Sequence, residues 1–485
     1  MSPGTFPARR PINPIGADSR ATPSRRQEYH HTMFRTILRW AGAGIALTTA
    51  LAMTACSSGT PAPTAGGEGT DAPAAEGGRV YYLNFKPEAA QDWEALAKTY
   101  TAETGVPVTV QTAASGTYET TLKSEMAKSE APTLFQVNGP VGLAIWEDYA
   151  ADLTGTAVYQ HLADKGAALT SADGAVHAVP FAMETYGIIY NRSLLEKYFA
   201  TSGAVVTTVE EINNFDTLKA VAEDIQAKKA DLGIEGAFTS AGFDSSSDWR
   251  FKTHLANVPL YYEFKADNVV GQPATIRGAY LDGYQKIFDL YINNSTTDRK
   301  LLSAKTGEDA NADFALAKAV FYQNGTWAYN DIKGQQVADE DLGMLPIYIG
   351  AEGEENQGLC TGSENYWVIN NGVSEADQAA TAAFLEWVIT SDTGRDALAN
   401  TMGFTTPFDT FGDFQSTNPL ILADQVFQQA GKTPVSWNFT TMPSQEWKDV
   451  LGQALLAYAQ ETGGWDAVGT AFVDNWAVEY DLAHA

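Results

Sequence analysis

The chain has 485 residues, a formal net charge of −28 at pH 7 and only two cysteines. An acidic surface of this kind is a poor partner for nucleic acid or anionic lipid, and two cysteines exclude a disulfide-built scaffold. We interpret the overall acidity as a source of solubility rather than as an acidic binding site. Beyond the amino-terminal segments described next, about 400 residues remain, which is enough for two domains.

An export signal is predicted near the amino end. Arg35 and Arg39 precede the alanine-rich apolar run 41–55, which is too short to cross a bilayer core of ~30 Å and is typical of a signal peptide. Residues 1–32 are then a longer leader or reflect a mis-assigned start. We therefore expect residues 1–55 to be leader and signal peptide, and the rest of the protein to act outside the cell.

The signal ends in the sequence Met-Thr-Ala-Cys at residues 53–56. This resembles the bacterial lipobox, in which small residues precede a cysteine that becomes acylated, although Met53 stands where leucine is usual. The alternative is that Cys56 is an ordinary thiol after a general export signal. Residues 56–78, rich in Pro, Ala, Gly and Thr, are typical of a flexible tether. The sequence thus predicts a lipid-anchored protein on the extracellular face of the bacterial cytoplasmic membrane, with Cys360 left as a buried, inert thiol.

From Arg79 the hydrophobic pattern alternates between strands and helices. A β-prone run at 80–85 is followed by apolar residues at helical spacing, and Gly105 ends this helix before a second strand at 106–110. Further elements are predicted as strands at 133–137, 187–190 and 236–239, and as helices at 118–126, from Ser193, at 218–225 and after Ser374, where Asp377 completes a capping box. The alternation predicts an α/β protein with mostly parallel sheets, whose ligands bind beyond the carboxyl ends of strands.

Three segments, in order, carry a family resemblance. The first is Val-Pro-Phe-Ala-Met-Glu-Thr-Tyr-Gly-Ile-Ile-Tyr-Asn-Arg-Ser-Leu-Leu at 179–195. The second, 319–327, ends in Gly-Thr-Trp, and the third combines 362–369 with 383–387 and 402–404. Placed behind a lipobox, the three segments resemble the carbohydrate-binding proteins of ABC transporters, the extracellular family that includes maltose-binding protein.

This resemblance implies a two-lobed, periplasmic-binding-protein-like α/β fold with a hinge and a ligand cleft between the lobes. Lobe one would comprise 79–183 plus 361–405, and lobe two 184–360 plus 406–485. The implied function is to bind a sugar, and specifically an oligosaccharide, and to deliver it to the transmembrane permease subunits. We expect a monomer that catalyses nothing and needs neither cofactor nor metal.

The resemblance also indicates which residues contact the sugar. A sugar presents hydroxyls at its edge and C–H groups on its faces, so its site combines hydrogen-bonding groups with flat aromatic rings. Trp327 falls on the family's stacking platform rather than at a position of pure core packing. Glu184 falls where the family carries an acidic ligand at the hinge, and Tyr186 would face the cleft with it. An unpaired acid beside residues 181–183 would be costly, which favours a functional or paired role for Glu184.

The remaining candidates lie at strand ends, in a polar loop or after the second crossing, and the first three of them have a structural alternative. Lys86 would donate to sugar hydroxyls, or be a solvated surface lysine. Asn138 would bind the sugar with its amide, or be a turn residue. Trp249 lies in a polar loop and would stack on the sugar or fill the core. Three residues after the second crossing complete the predicted set: Glu364, Asn365 and Tyr366.

The sequence alone is also compatible with other classes of protein. An extracellular glycoside hydrolase needs only two carboxylates ~5 to 9 Å apart, and the many acids neither show nor exclude such a pair. The sequence contains no nucleophile elbow and no phosphate-binding loop, and its histidines lack metal-ligand spacing. An adhesion lipoprotein would not need the three segments. Within the binding class, the alternative ligands are a peptide, a polyamine or a metal.

Overall fold

The structure is a computed structural model that describes residues 77–113, 115–171, 174–414 and 416–485. The predicted leader, signal peptide and acylation site at Cys56, together with almost all of the tether, lie outside these residues. Across the described ranges, no helix is both long enough and apolar enough to cross a membrane.

Strands and helices alternate along most of the described chain. The strands are β1 Val80–Asn84, β2 Val108–Thr112, β3 Leu134–Asn138, β4 Leu169–Thr170, β5 Val176–Pro180, β6 Glu184–Asn191, β7 Gly236–Thr239, β8 Ala319–Gly325, β9 Leu342–Leu345, β10 Gln357–Gly362, β11 Asn365–Ile369 and β12 Thr433–Ser436. The α-helices are α1 Ala90–Thr104, α2 Tyr118–Met126, α3 Gly139–Trp146, α4 Ala157–Gln160, α5 Arg192–Phe199, α6 Phe215–Ala227, α7 Lys229–Leu232, α8 Asn257–Asp267, α9 Leu281–Asn293, α10 Gly307–Ala315, α11 Tyr329–Ile332, α12 Glu375–Thr390, α13 Asp392–Asp396, α14 Pro419–Gln429, α15 Gln445–Ala459 and α16 Trp465–Ala483.

The strands form two sheets, so the predicted α/β class is confirmed. The first sheet has the order β2-β1-β3-β11-β5-β4, and the second has the order β12-β10-β6-β8-β7, with β9 also paired to β6. Strand β1 is parallel to β2 and β3, and β7 is parallel to β8, as βαβ units require. Strand β11 is antiparallel to β3 and β5, and β6 is antiparallel to β8, β9 and β10. The prediction of mostly parallel sheets is therefore wrong, because the strands next to the crossings between the sheets are antiparallel to their neighbours.

Helix α1 illustrates how local sequence fixes an element. Its four buried side chains recur at helical spacing, as predicted: Trp93, Leu96, Ala97 and Tyr100. Gly105 ends the helix with a φ of 79°, a left-handed conformation that glycine adopts without strain.

At the start of α12, the Ser374 side chain accepts a hydrogen bond from the Asp377 amide, but the Asp377 carboxylate accepts from the Arg79 amide at 2.8 Å. Only half of the predicted capping box therefore forms.

The chain passes from the first sheet to the second at residues 181–183 and returns at residues 363–364. Thr361 still pairs with β6, so the return lies slightly later than the predicted boundary at 361. Phe408 and Phe411 pack in the core of the first sheet, where the Phe408 ring stacks on Trp367 at 6.2 Å. Residues 406–411 therefore lie with the first sheet, whereas the predicted boundary placed them in lobe two.

Cys360 lies within β10 and is fully buried, as predicted, with no disulfide. Burial raises the pKa of its thiol to about 12, so the reactive thiolate does not form near neutral pH.

Gly187 lies on β6 where that strand contacts β9 closely. A Cβ at this position would lie 2.5 Å from the carbonyl oxygen of Leu345 and 2.9 Å from a methyl group of Leu359. Because the carbonyl belongs to the paired backbone, we expect Gly187→Ala to lower the free energy of unfolding by about 1–3 kcal/mol in urea denaturation. Gly155→Ala, whose Cβ would meet no atom within 4 Å, is the control. Equal losses in the two variants would contradict the close contact.

Candidate functional site

Two adjoining cavities lie between the two sheets, and together we call them the cleft. The outer chamber has a volume of about 580 Å³ and the inner chamber about 100 Å³. The residues that line both chambers are Pro87, Glu88, Ser246, Ser247, Arg250 and Trp327. Pro87 and Glu88 follow the first strand of the first sheet, and the other four belong to segments of the second sheet, so both sides contribute walls.

Strand ends place the polar and aromatic groups in the cleft. The loop after β1 is held by Asn84, whose side chain donates to the Lys86 carbonyl at 2.7 Å and accepts from the Lys86 amide at 3.0 Å. Trp327 lies two residues after the end of β8. A Cβ on Gly325 would lie 2.3 Å from the indole ring, so only glycine lets Trp327 fold back over the strand end. These positions agree with the rule that ligands bind beyond strand ends in α/β sheets.

The Lys86 ammonium lies among three carboxylates. It forms a short ion pair with Glu184, and its Nζ lies 3.5 Å from Glu364 Oε1 and 3.9 Å from Glu88 Oε1. The side chains of Lys86 and Glu364 are only 6% and 7% exposed. Burial by itself lowers the pKa of Lys86, but the three carboxylates outweigh it and raise the pKa above the usual range. Lys86 therefore stays charged and links the loop after β1 to both crossings.

The carboxylates around Lys86 are incompletely satisfied. Glu364 Oε1 accepts from the Asn365 side chain at 3.1 Å, whereas its Oε2 is buried without a hydrogen-bond partner among the described residues, as is Oε1 of Glu184. Burial raises the pKa of Glu88 to about 7, with Lys86 offsetting part of the effect, and burial also raises the pKa of Glu364. The cluster can therefore accept hydrogen bonds from a ligand.

Trp327 is half-buried and lines both chambers. The Arg250 guanidinium lies 5.2 Å from the centre of its ring and the Lys86 ammonium 5.8 Å, distances at which cations interact with an aromatic face. The rings of His254 and Tyr186 lie behind it at 5.4 and 6.4 Å. Burial lowers the pKa of His254 well below its usual range, so this ring is neutral.

The structure brings five of the predicted site residues together at the cleft. Lys86, Glu364, Trp249 and Trp327 line it, and Glu184 lies directly behind Lys86. Trp249 is 4% exposed, packs against Phe85 at 5.8 Å and leaves its buried Nε1 without a partner among the described residues. It therefore both fills the core and borders the inner chamber.

The other four predicted residues line neither chamber. Tyr186 is fully buried, and its hydroxyl donates to the His254 carbonyl at 2.9 Å. Asn138 ends β3 in register with Asn365, which supports Glu364 from behind. Tyr366 is half-buried and lies outside the two chambers. Their predicted sugar contacts stay predictions.

Several lining residues were missed from the sequence. Glu88 and Arg250 lie within two residues of the predicted Lys86 and Trp249, so inspection of whole loops would have found them. His254 lies one helical turn after Arg250. Asn311 on α10 and Asp331 on α11 line the outer chamber without any sequence motif. Within the described ranges, no group of three or more metal-ligating side chains could hold a metal ion.

Comparison with known proteins identifies the family. Residues 95–423, more than half of the chain, match the bacterial extracellular solute-binding proteins. The chain belongs to this family. The family resemblance predicted from the three segments is thus confirmed, and membership of the family implies an extracellular or periplasmic location. No curated protein matches this solute-binding protein in sequence.

Solved structures share the fold of this solute-binding protein. RafE, known from Streptococcus pneumoniae, in complex with raffinose has a TM-score of 0.63 at 18% identity, covering 84% of this chain and all of its own. The GacH receptor of Streptomyces glaucescens, solved unliganded and with acarbose, has a TM-score of 0.62 at 18% identity, covering 83% and 98%. A sugar transporter from Bacillus licheniformis in complex with stachyose has a TM-score of 0.61 at 18% identity, covering 82% and 100%. The predicted two-lobed fold is confirmed.

Proposed function

We propose that this solute-binding protein captures an oligosaccharide in the cleft and delivers it to the permease subunits of an ABC importer, without catalysing a reaction. The observation that carries the proposal is the cleft itself, where the Trp327 ring lies beside the buried polar groups of Lys86 and Glu364. An aromatic surface with a few convergent polar groups fits the C–H face and hydroxyl edge of a sugar. The raffinose complex of RafE and the stachyose complex from Bacillus licheniformis support the same ligand class.

The size of the cleft supports an oligosaccharide. Its outer chamber of about 580 Å³ extends from Trp327 along α10 and falls within the ~300–1,000 Å³ range of small-molecule sites. The chamber walls come from segments of both sheets, as expected if the two lobes close around the ligand by a hinge motion.

The lipid anchor belongs to the same proposal. Acylation of Cys56 would hold the protein at the outer face of the membrane, with residues 56–78 as its tether. Radioactive palmitate should label the wild-type protein, and Cys56→Ala should shift it from the membrane fraction to the medium. A Cys56→Ala variant that remains in the membrane fraction would contradict the anchor.

Calorimetric titration of the full chain, with chromatography of the sugar afterwards, tests the binding function. The probes are raffinose, stachyose, and gluco- and xylo-oligosaccharides of two to four units, together with amino-sugar oligosaccharides. We expect saturable binding of at least one sugar, which is recovered unchanged. Shortened products would support the glycoside hydrolase alternative, and a complete lack of binding would contradict the sugar-receptor function.

A further inference from the structure

The cleft carries more carboxylates than cations. Four carboxylates line its chambers: Glu88, Glu308, Asp331 and Glu364. Lys86 and Arg250 are the cations there, and Lys86 is already engaged by a fifth carboxylate, that of Glu184. His254 lines the inner chamber as a neutral ring, because burial lowers its pKa well below the usual range. Around Lys86 one ammonium lies near three acids. Lys448, whose Nζ lies 4.8 Å from the centre of the Trp249 ring, is a second cation near Glu364, and burial lowers its pKa to about 8.

The inner chamber is also lined by a residue with a hydrogen-bond acceptor to which no described residue donates. Glu364 is 6% exposed, and it lines this chamber. Its Oε1 is taken by Lys86 and Asn365, whereas its Oε2 has no hydrogen-bond partner among the described residues. A buried carboxylate oxygen left unpaired costs free energy, so a donor from the ligand would be stabilised here.

We propose that the inner chamber binds a positively charged nitrogen of the ligand, so that the sugar carries a free amine, as in a hexosamine unit. This inference rests on the proposed sugar-binding function. A ligand ammonium would donate to Glu364 Oε2, to which neither Lys86 nor the nearby buried Lys448 donates a hydrogen bond. A hydroxyl would donate a weaker hydrogen bond to this carboxylate oxygen than an ammonium does, and a uronic acid would add a further negative charge.

The size of the inner chamber fits this assignment. Its volume of about 100 Å³ is much smaller than the 580 Å³ of the outer chamber, so the inner chamber would take one end of the ligand rather than the whole oligosaccharide. The sugar ring would then lie at the mouth of the chamber, next to Trp327, which lines both chambers.

Binding of an amine should be linked to a proton on Glu88. Burial and the neighbouring Glu184 and Glu364 raise the pKa of Glu88 to about 7, against the opposing effect of Lys86. Arg250, from the segment that follows β7, lines the same chamber. Below pH 7 Glu88 therefore holds a proton when the ligand is absent, and an incoming ammonium should expel it. The affinity for an amine should consequently rise as the pH increases from about 5 to about 7.

Calorimetry of the full chain in two buffers of different ionisation enthalpy tests the inference. The probes are the amine forms of glucose, galactose and mannose, as mono- and disaccharides, with matched N-acetylated, neutral and uronic-acid forms. We expect one amine form to bind roughly tenfold more tightly than its N-acetylated and neutral counterparts, with proton release near pH 6. Glu88→Gln should abolish the proton release, whereas Glu94→Gln, an exposed acid on α1, should preserve it.

The outcomes separate this inference from the function on which it rests. Neutral sugars that bind as tightly as the amines would overturn the amine assignment and leave the sugar-receptor function standing. Binding of a uronic acid, or failure of every amine form to bind, would likewise overturn it. Only the absence of binding by every sugar in both panels would overturn the two together.

Discussion

Replacing Lys86 by alanine should lower the free energy of unfolding by about 3–5 kcal/mol at pH 7, the cost of breaking a buried charge pair from one side. The ammonium is the centre of a cluster in which the Glu184 and Glu364 side chains are 3% and 7% exposed. Without it, the carboxylates face one another in a poorly solvated space. Lys86→Met keeps most of the side-chain volume but removes the charge, and it should lose nearly as much stability as Lys86→Ala. This variant distinguishes the effect of the lost charge from the effect of the cavity that alanine leaves.

The pH dependence of this loss has a definite sign. Burial already raises the pKa values of Glu88 and Glu364, and removal of Lys86 takes away a cation that opposes this rise. The penalty therefore grows as the pH rises through the raised pKa values of these acids and shrinks as the acids become protonated at lower pH. Urea denaturation of wild type and variant at pH 7.5 and pH 5 measures the difference.

Lys219→Ala is the matched control for Lys86→Ala. Lys219 pairs with Glu223 at 2.6 Å on α6, but the two side chains are 47% and 49% exposed. Exposed pairs contribute about 0–1 kcal/mol, so this variant should stay close to wild type at both pH values. A Lys86→Ala variant as stable as Lys219→Ala would contradict the buried cluster.

The predictable parts of the fold are those determined by neighbouring residues. Helix α1 and its end at Gly105 follow from side-chain spacing and from one glycine, both visible within sixteen residues. Strand direction could not be predicted in this way. Strand β11 joins the first sheet only after the chain has traversed the second, and this return between β3 and β5 makes it antiparallel to both. Its direction depends on a crossing some 180 residues after the first.

The site was partly predictable for the same reason. Lys86, Glu184 and Trp327 follow strand ends or crossings within recognisable segments, and all three meet at the cleft. Tyr186 shares a strand face with Glu184 because side chains alternate along β6, but it lies deeper, under His254, where it is fully buried. The alternation of side chains along a strand predicts which face of the sheet a side chain lies on, but it does not predict how deeply that side chain is buried.

The group of carboxylates in the cleft could not be predicted from the sequence, for a different reason. With 59 acidic residues in the chain, no single carboxylate is distinguished by its sequence. Glu88 becomes notable only because folding places it 3.9 Å from Lys86, next to two acids from distant segments. Overall charge indicates solubility, whereas the charge of a site depends on which few residues the fold brings together.

Trp327→Ala should reduce the affinity for the bound sugar by roughly tenfold or more, since a stacked ring contributes on the order of 1 kcal/mol or more beyond the area it buries. This prediction rests on the proposed function. Because Trp327 is only half-buried, the variant should lose less stability than the 3–5 kcal/mol typical of a core tryptophan. Calorimetry with the tightest sugar from the two panels measures the affinity, and thermal unfolding measures the stability.

Trp387→Ala is the control for Trp327→Ala, because Trp387 is also half-buried but lies on α12, where its indole donates to Glu103 at 3.1 Å. Its loss should leave the affinity unchanged. Loss of Trp327 also removes the aromatic ring that lies 5.2 Å from the Arg250 guanidinium. Trp327→Phe keeps a ring for both Arg250 and the sugar, so it should retain more affinity than Trp327→Ala. If phenylalanine and alanine gave the same loss, the indole would act through Arg250 or through packing rather than by stacking on the sugar.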